Sequence, residues 1–264
     1  MAVQDLALAP SFRVGEVLSK TFSIWFSNIV PFGLLGLLFN IPLAIAGYFF
    51  FEILVASAGQ IAPGELPPGF IWRAIVAVLV VMAFYQLLTA SITYGVIMRL
   101  RGQPIALGPC LGQGIKRFLP VIFTGLLGTI LAAIGGIFLV IPGIIVLVGL
   151  WVAVPVCVVE ELGVGASLER AWALSKGYRW KLLGVILVMG IILGVVQQVI
   201  QLLANSFVGG GSVGLAALAP ALGILMINQA ISVTLTAVTV TCAYYYLRVA
   251  KEGVDIDQIA SVFD

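Results

Sequence analysis

The stretch SLERAWALSKGYRWK, residues 167–181, carries five charged side chains (Glu169, Arg170, Lys176, Arg179 and Lys181), while 118–159 on one side of it and 182–247 on the other contain no Asp, Glu, Lys or Arg at all. An apolar run of about 20 helical residues crosses a bilayer core of about 30 Å. Uncharged runs of this length on both sides of a basic, tryptophan-bearing segment therefore predict membrane helices that enter and leave at its level. The runs lack the polar-apolar alternation of barrel strands, so the crossings are read as helices.

Composition supports this reading. The 264 residues are 62% hydrophobic and 9% charged, with a mean hydropathy of +1.20, which is membrane-protein composition. There is no histidine, so histidine-based triads, metal sites and proton shuttles are excluded. Cys110, Cys157 and Cys242 lie far apart and are expected as buried small hydrophobes rather than a zinc or disulfide set. A formal charge of +2 gives no reason to expect nucleic acid. The opening MAVQDLALAPSFRVGEVLSK lacks the layout of a cleavable signal, and the first membrane helix is expected to do the targeting.

Apolar runs between charges give six crossings, at 29–56, 71–98, 119–140, 143–159, 182–205 and 216–247. The breaks are expected at APGELPPG (62–69), at IPG (141–143), where Pro142 and Gly143 end one helix of a tight hairpin, and at VGGGSVG (208–214). With this count, every lysine and arginine except Arg73 falls on one side, and basic residues favour the cytoplasmic side. The expectation is an all-α polytopic protein of the bacterial inner membrane with both termini cytoplasmic.

Three segments align: VGEVLSKTFSIWFSNIVPFGLLGLL from 14, LGPCLGQGIKRFLPVIFTGLLGTIL from 107 and VGASLERAWALSKGYRWKLLGVILV from 164. Each has a glycine followed three residues later by leucine (Gly15, Gly108, Gly165), then a polar or aromatic stretch, then LLG at 34, 126 and 182. The single domain, 1–264, is read as three units, 12–100, 107–159 and 164–250, with a polar tail 251–264. Each unit is an amphipathic helix on the cytoplasmic surface followed by a two-helix hairpin. Trp25, Lys116, Arg117, Arg170, Trp172, Lys176, Arg179, Trp180 and Lys181 are the candidate interfacial residues, contacting lipid headgroups, with Tyr244, Tyr245 and Tyr246 in the same aromatic belt. A pocket for a phosphorylated ligand built from these cations is the functional alternative.

The run VEELGVGASLERAWALSKGYRWKLLGVILV (159–188), preceded by IPGIIVLVGLWVAVPV, resembles the membrane domain found in glycerophosphoryl diester phosphodiesterases and related bacterial inner-membrane proteins. The resemblance is closest in the third unit and elsewhere lies in hydropathy and layout. It implies a membrane-embedded helical domain. In the diesterases catalysis belongs to a separate soluble barrel, so hydrolase activity is not expected here.

Asn40, Gln86, Gln197, Gln198, Gln201, Asn205, Asn228 and Gln229 fall inside crossings, and Gln197, Gln201 and Asn205 form one helical stripe. Such amides are expected to face protein or water, as interhelical adhesion or a polar path. Gly128, Ala132 and Gly136, and the pair Gly190 and Gly194, permit close helix approach within the bundle or between subunits. Pro42, near Asn40, is expected to kink the first crossing. Glu52, near Arg73, is the one acidic residue within a crossing. No catalytic, cofactor or metal residues are expected. The leading functional expectation is a non-enzymatic structural, assembly or accessory subunit whose partners are membrane lipids and another membrane protein or further copies of itself. The alternatives are a carrier or flippase-like protein for a lipid or small amphiphile, and a regulatory membrane domain for a separately encoded enzyme.

Overall fold

The computed structural model describes residues 12–57, 69–208 and 215–253. Residues 1–11, the loop expectations around 62–69 and 208–214, the tail from 254 and the side chain of Glu52 lie outside the described residues. All regular structure among the described residues is helical: α1 (Val14–Ser27), α2 (Ile29–Ser57), α3 (Phe70–Leu100), α4 (Leu107–Lys116), α5 (Phe118–Phe138), α6 (Val140–Leu150), α7 (Ala153–Val159), α8 (Val164–Ser175), α9 (Arg179–Val208) and α10 (Leu215–Glu252). Five stretches are long and apolar enough to span a membrane: Phe70–Leu100, Phe118–Ile137, Val140–Val159, Arg179–Ser206 and Gly223–Glu252. The bent pair α1 and α2 raises the number to six. The bounds expected from charge-free runs fall within five residues of helices α2, α3, α5, α9 and α10 and of α6 and α7 taken as one crossing.

Local chemistry explains the breaks. Between α1 and α2 the chain turns by 88°, and Asn28 makes the turn. Its side-chain Nδ2 donates to Ile24 O at 2.8 Å, closing the end of α1, while its carbonyl accepts from Phe32 N at 3.2 Å to begin α2. The sharp bend is thus at Asn28, and α2 continues as helix through Pro42. The α5–α6 hairpin differs from expectation. Its break is the single extended residue Leu139, and Pro142 and Gly143 lie in the first turn of α6. Proline is tolerated there because the first N–H groups of a helix have no intrahelical acceptor. A second interruption, at Trp151 and Val152, separates α6 from α7. Pro155 accounts for it: it has no N–H for the Trp151 carbonyl four residues back, and its ring crowds that carbonyl.

The helix contacts among the described residues form a closed ring. The second helices of the hairpins (α3, α7 and α10) meet one another in the centre. The first helices α2, α5 and α9 stand outside, each bridging its own hairpin and a neighbouring one: α2 packs on α3 and α10, α5 on α6, α7 and α3, and α9 on α10 and α6. Each short helix docks on the preceding unit, α4 on α3, α8 on α5, α6 and α7, and α1 on α9 and α10, which closes the ring.

The packed core lies towards the end where α3 and α10 finish and α9 starts. In α3 the buried residues run from Gln86 to Met98, and in α9 they are Leu182, Val185 and Met189 before Ala204. Ile71, Trp72, Ile75, Leu202 and Leu203, at the other end, are exposed, as expected of side chains whose solvent is hydrocarbon. Hydroxyls inside the core bond back one helical turn, as Thr89 does to Tyr85 O, Thr239 to Leu235 O and Thr241 to Ala237 O. Such bonds let threonine sit in an apolar interior. Thr93 and Thr241 also pair at 3.1 Å between α3 and α10.

Glycine matters where backbones cross closely. A Cβ on Gly36 of α2 would sit 2.8 Å from Ala230 O and 2.9 Å from Ala230 Cβ of α10, and one on Gly143 would sit 2.6 Å from Gly136 Cα. Gly190 and Gly194 have nothing within 4 Å, and Gly128 meets only Leu168 Cδ2 at 3.7 Å. The GxxxG pair of α9 is therefore not a packing contact of this bundle, because that face of α9 looks outward.

Candidate functional site: a cationic rim and a polar cavity

The basic end of the bundle sorts its cations into two groups. In the first, Glu160 at the end of α7 accepts from Arg170 Nε at 2.8 Å through Oε2 and from the Tyr244 hydroxyl at 3.1 Å through Oε1. Arg248 Nε lies 3.0 Å from Glu252 and 3.8 Å from Glu160, its Nη1 donates to the Tyr244 hydroxyl at 3.3 Å, and Arg170 Nη2 also pairs with Glu252. Two guanidiniums and two carboxylates thus form a neutral lock joining α7, α8 and α10. Lys251 Nζ donates to the carbonyls of Ala173, Leu174 and Lys176, where a cation also suits the negative end of the α8 dipole. Arg117 pairs with Glu161 Oε2 at 2.5 Å and donates to Glu161 O at 3.2 Å.

Glu161 itself has φ 53, a left-handed conformation uncommon for a non-glycine residue. The hydrogen bond from Arg117 holds its carboxyl below the usual carboxylate range, against a smaller opposing effect of burial. A depressed folded pKa means that the pair stabilises the fold above the unfolded value of about 4.3 and stops doing so as pH falls through the lower folded value. The thermal midpoint in detergent is expected to fall on going from about pH 6 to about pH 3, and Glu161→Gln to remove that part of the dependence. An unchanged acid limb in the variant would refute the assignment.

The second group faces outward. Lys116, Lys176 and Lys181 are exposed, and Trp180 beside Lys181 is 86% exposed. Lys181 Nζ lies 5.5 Å from the Tyr178 ring centroid. Trp172 bridges the groups: its ring carries Arg179 at 3.8 Å and covers Gly149 of α6, where a Cβ would come 2.5 Å from Cε3. Two expected belt aromatics are turned inward instead. Trp25 is 5% exposed and donates from Nε1 to Thr234 Oγ1 at 3.1 Å, and Tyr244 is fully buried in the lock. Arg117 and Arg170 likewise meet carboxylates. Which neighbouring helix each one meets is a tertiary matter, and the acidic pair Glu160–Glu161 was the signal in the sequence that some cations are internally paired.

The intramembrane amides also divide. Asn40 donates to Met226 O at 3.0 Å and, at 3.4 Å, to Gly36 O, tying α2 to α10, and Asn228 of α10 is buried. Gln229 is half-buried. The stripe Gln197, Gln201 and Asn205, with Gln198 beside it, is exposed, and among the described residues Gln201 donates along its own helix to Asn205 at 3.3 Å. Periodicity places these amides on one face of α9, but the packed face of α9 is the one bearing Leu182, Val185 and Met189.

Gln86 is 8% exposed and lines a cavity of about 220 Å³ between α3, α5, the α6–α7 break and α10. Its carboxamide lies over Gly125, where any Cβ would overlap it. Thr89, Thr124, Thr129 and Thr236 add hydroxyls, and none of the described residues that line the space is charged.

Fold and rim together define an integral, polytopic, all-helical membrane protein. Comparison with protein families, curated proteins and solved structures returned no match.

Proposed function

We propose that this protein is a non-enzymatic structural or accessory subunit of a bacterial inner membrane, related to the membrane domain of the glycerophosphoryl diester phosphodiesterase type. In this reading it crosses six times as three hairpins, with α1, α4 and α8 along the cytoplasmic surface and both termini inside. The single observation that carries the reading is the outward cluster of Trp180, Lys176 and Lys181 beside the internally neutralised lock. An exposed indole next to lysines belongs at the depth of headgroups, where each cation near an anionic surface contributes about 1 kcal/mol. The amide face of α9, exposed among the described residues, supports a partner helix from another membrane protein or a second copy.

The test is retention of anionic phospholipid by purified protein, followed by native mass spectrometry. Lys116→Ala, Lys176→Ala and Lys181→Ala combined should lower it by roughly tenfold or more at low salt while leaving retention of zwitterionic lipid unchanged. Equal loss of both lipids, or no loss, would overturn the headgroup reading. Labelling from opposite sides of Lys116 and Lys181 would overturn the orientation.

A further inference from the structure

We propose that the cavity at the α6–α7 break binds the hydroxyl end of an uncharged long-chain amphiphile. This inference is independent of headgroup contact at the rim. Thr124 motivates it: the residue is fully buried, lines the cavity, and its Oγ1 has no hydrogen-bond partner. Around it the other threonines are satisfied as donors, Thr89 giving its proton to Tyr85 O, Thr129 to Gly125 O and Thr236 to Ser232 O. Thr129 and Thr236 therefore have lone pairs but no proton left for the space, Thr89 is also engaged by the Tyr85 side chain, and Thr124 keeps its proton to give.

A ligand that satisfies Thr124 must accept, and one that also donates gains the free lone pairs of Thr129 and Thr236. A hydroxyl does both, whereas an ester, ketone or ether only accepts. A cation or anion is disfavoured because no counter-charge lines the space and an unpaired charge in hydrocarbon is costly. Size fits one end of a molecule: a cavity of about 150 Å³ holds benzene, and this one is about 220 Å³, room for a head of several heavy atoms but not for a lipid. The rest has a way out, since Thr129 of α5 and Leu147 of α6, both in the lining, are exposed. A chain leaving past them enters the surrounding hydrocarbon.

The break in the helix is part of the same device. Pro155 denies the Trp151 carbonyl its helical donor, and both residues line the cavity. Irregular backbone at membrane depth is tolerated where it borders protein or a cavity.

The test uses the full chain in nanodiscs and a hexadecanol bearing a photoreactive diazirine near the hydroxyl. Labelling should concentrate in 124–132 and 147–155 and be competed by unlabelled hexadecanol, with the hexadecyl methyl ether competing about tenfold less well, the factor expected for one lost hydrogen bond. Dioleoylglycerol as competitor distinguishes a glycerolipid alcohol from a simple long-chain one, and competition by either supports the site. Thr124→Val, nearly isosteric, should cut labelling by about tenfold with an unchanged melting temperature. If that variant unfolds, Thr129→Val at the mouth should weaken labelling severalfold. Labelling spread evenly over lipid-facing helices, equal competition by ether and alcohol, or indifference to the threonine substitutions would overturn the proposal.

Discussion

Glu160→Ala should destabilise the protein by about 3 kcal/mol in thermal or denaturant unfolding in mild detergent, at the low end of the range for breaking a buried ion pair. Glu160 is 14% exposed at its side chain, and it holds Arg170, Arg248 and the buried Tyr244 hydroxyl together. Removing it leaves two guanidiniums sharing Glu252 alone, and leaves Tyr244 without its acceptor. Most of the cost comes from the stranded positive charge, not from the lost pair. Arg170→Met introduced with Glu160→Met should therefore recover part of the stability, with a coupling of roughly 1–3 kcal/mol. Glu169→Ala, on the exposed face of α8, should lie within about 0.5 kcal/mol of the parent. Equal effects at Glu160 and Glu169, or strict additivity in the double variant, would show that no lock exists.

The second large effect is expected at Gly36. A methyl group there must displace α10, because its nearest neighbours are the Ala230 carbonyl and Cβ and the Thr234 methyl, all at 2.8–2.9 Å. Backbone cannot rotate away as a flexible side chain can. Moving the helices apart also disturbs the Asn40 bond to Met226 O, one turn further along α2, and the Trp25 bond to Thr234. Gly36→Ala should cost about 2 kcal/mol, in the range for overpacking. Gly33, three residues earlier, has nothing within 4 Å. Gly33→Ala should stabilise by about 0.5–1 kcal/mol through helix propensity. The opposite signs of two identical substitutions on one helix separate packing from propensity, and a common sign would contradict the α2–α10 contact.

Much of the fold was legible in the sequence because it depends on partition between water and hydrocarbon. Whether 182–205 can lie in a bilayer is decided residue by residue, and α9 spans it. In the helix order, the short helices α1, α4 and α8 fall where the three aligned segments begin. The IPG break was misplaced by a few residues because proline reads as a stop in sequence but is equally at home in a first helical turn.

The candidate sites were less legible. Arg117, Arg170, Lys176 and Lys181 look alike as cations on amphipathic segments, yet two of them are paired internally and two are exposed. The difference is set by Glu160 and Glu161, which follow α7 directly and meet Arg170 and Arg117 from opposite directions along the chain. Gln86 and Gln201 are both amides in apolar helices, but one lines a cavity and the other faces outward. A helical period groups residues on a face without saying which neighbour that face meets.

The sequence by itself determined the helical class and the five to six stretches long and apolar enough to span a membrane, since hydrophobic length and charge placement act along the chain. Only the tertiary structure decided the ring of docked short helices, the Glu160 lock, the close Gly36 crossing and the cavity beside Thr124. Each of these depends on distances between segments far apart in sequence, fixed by how the helices pack.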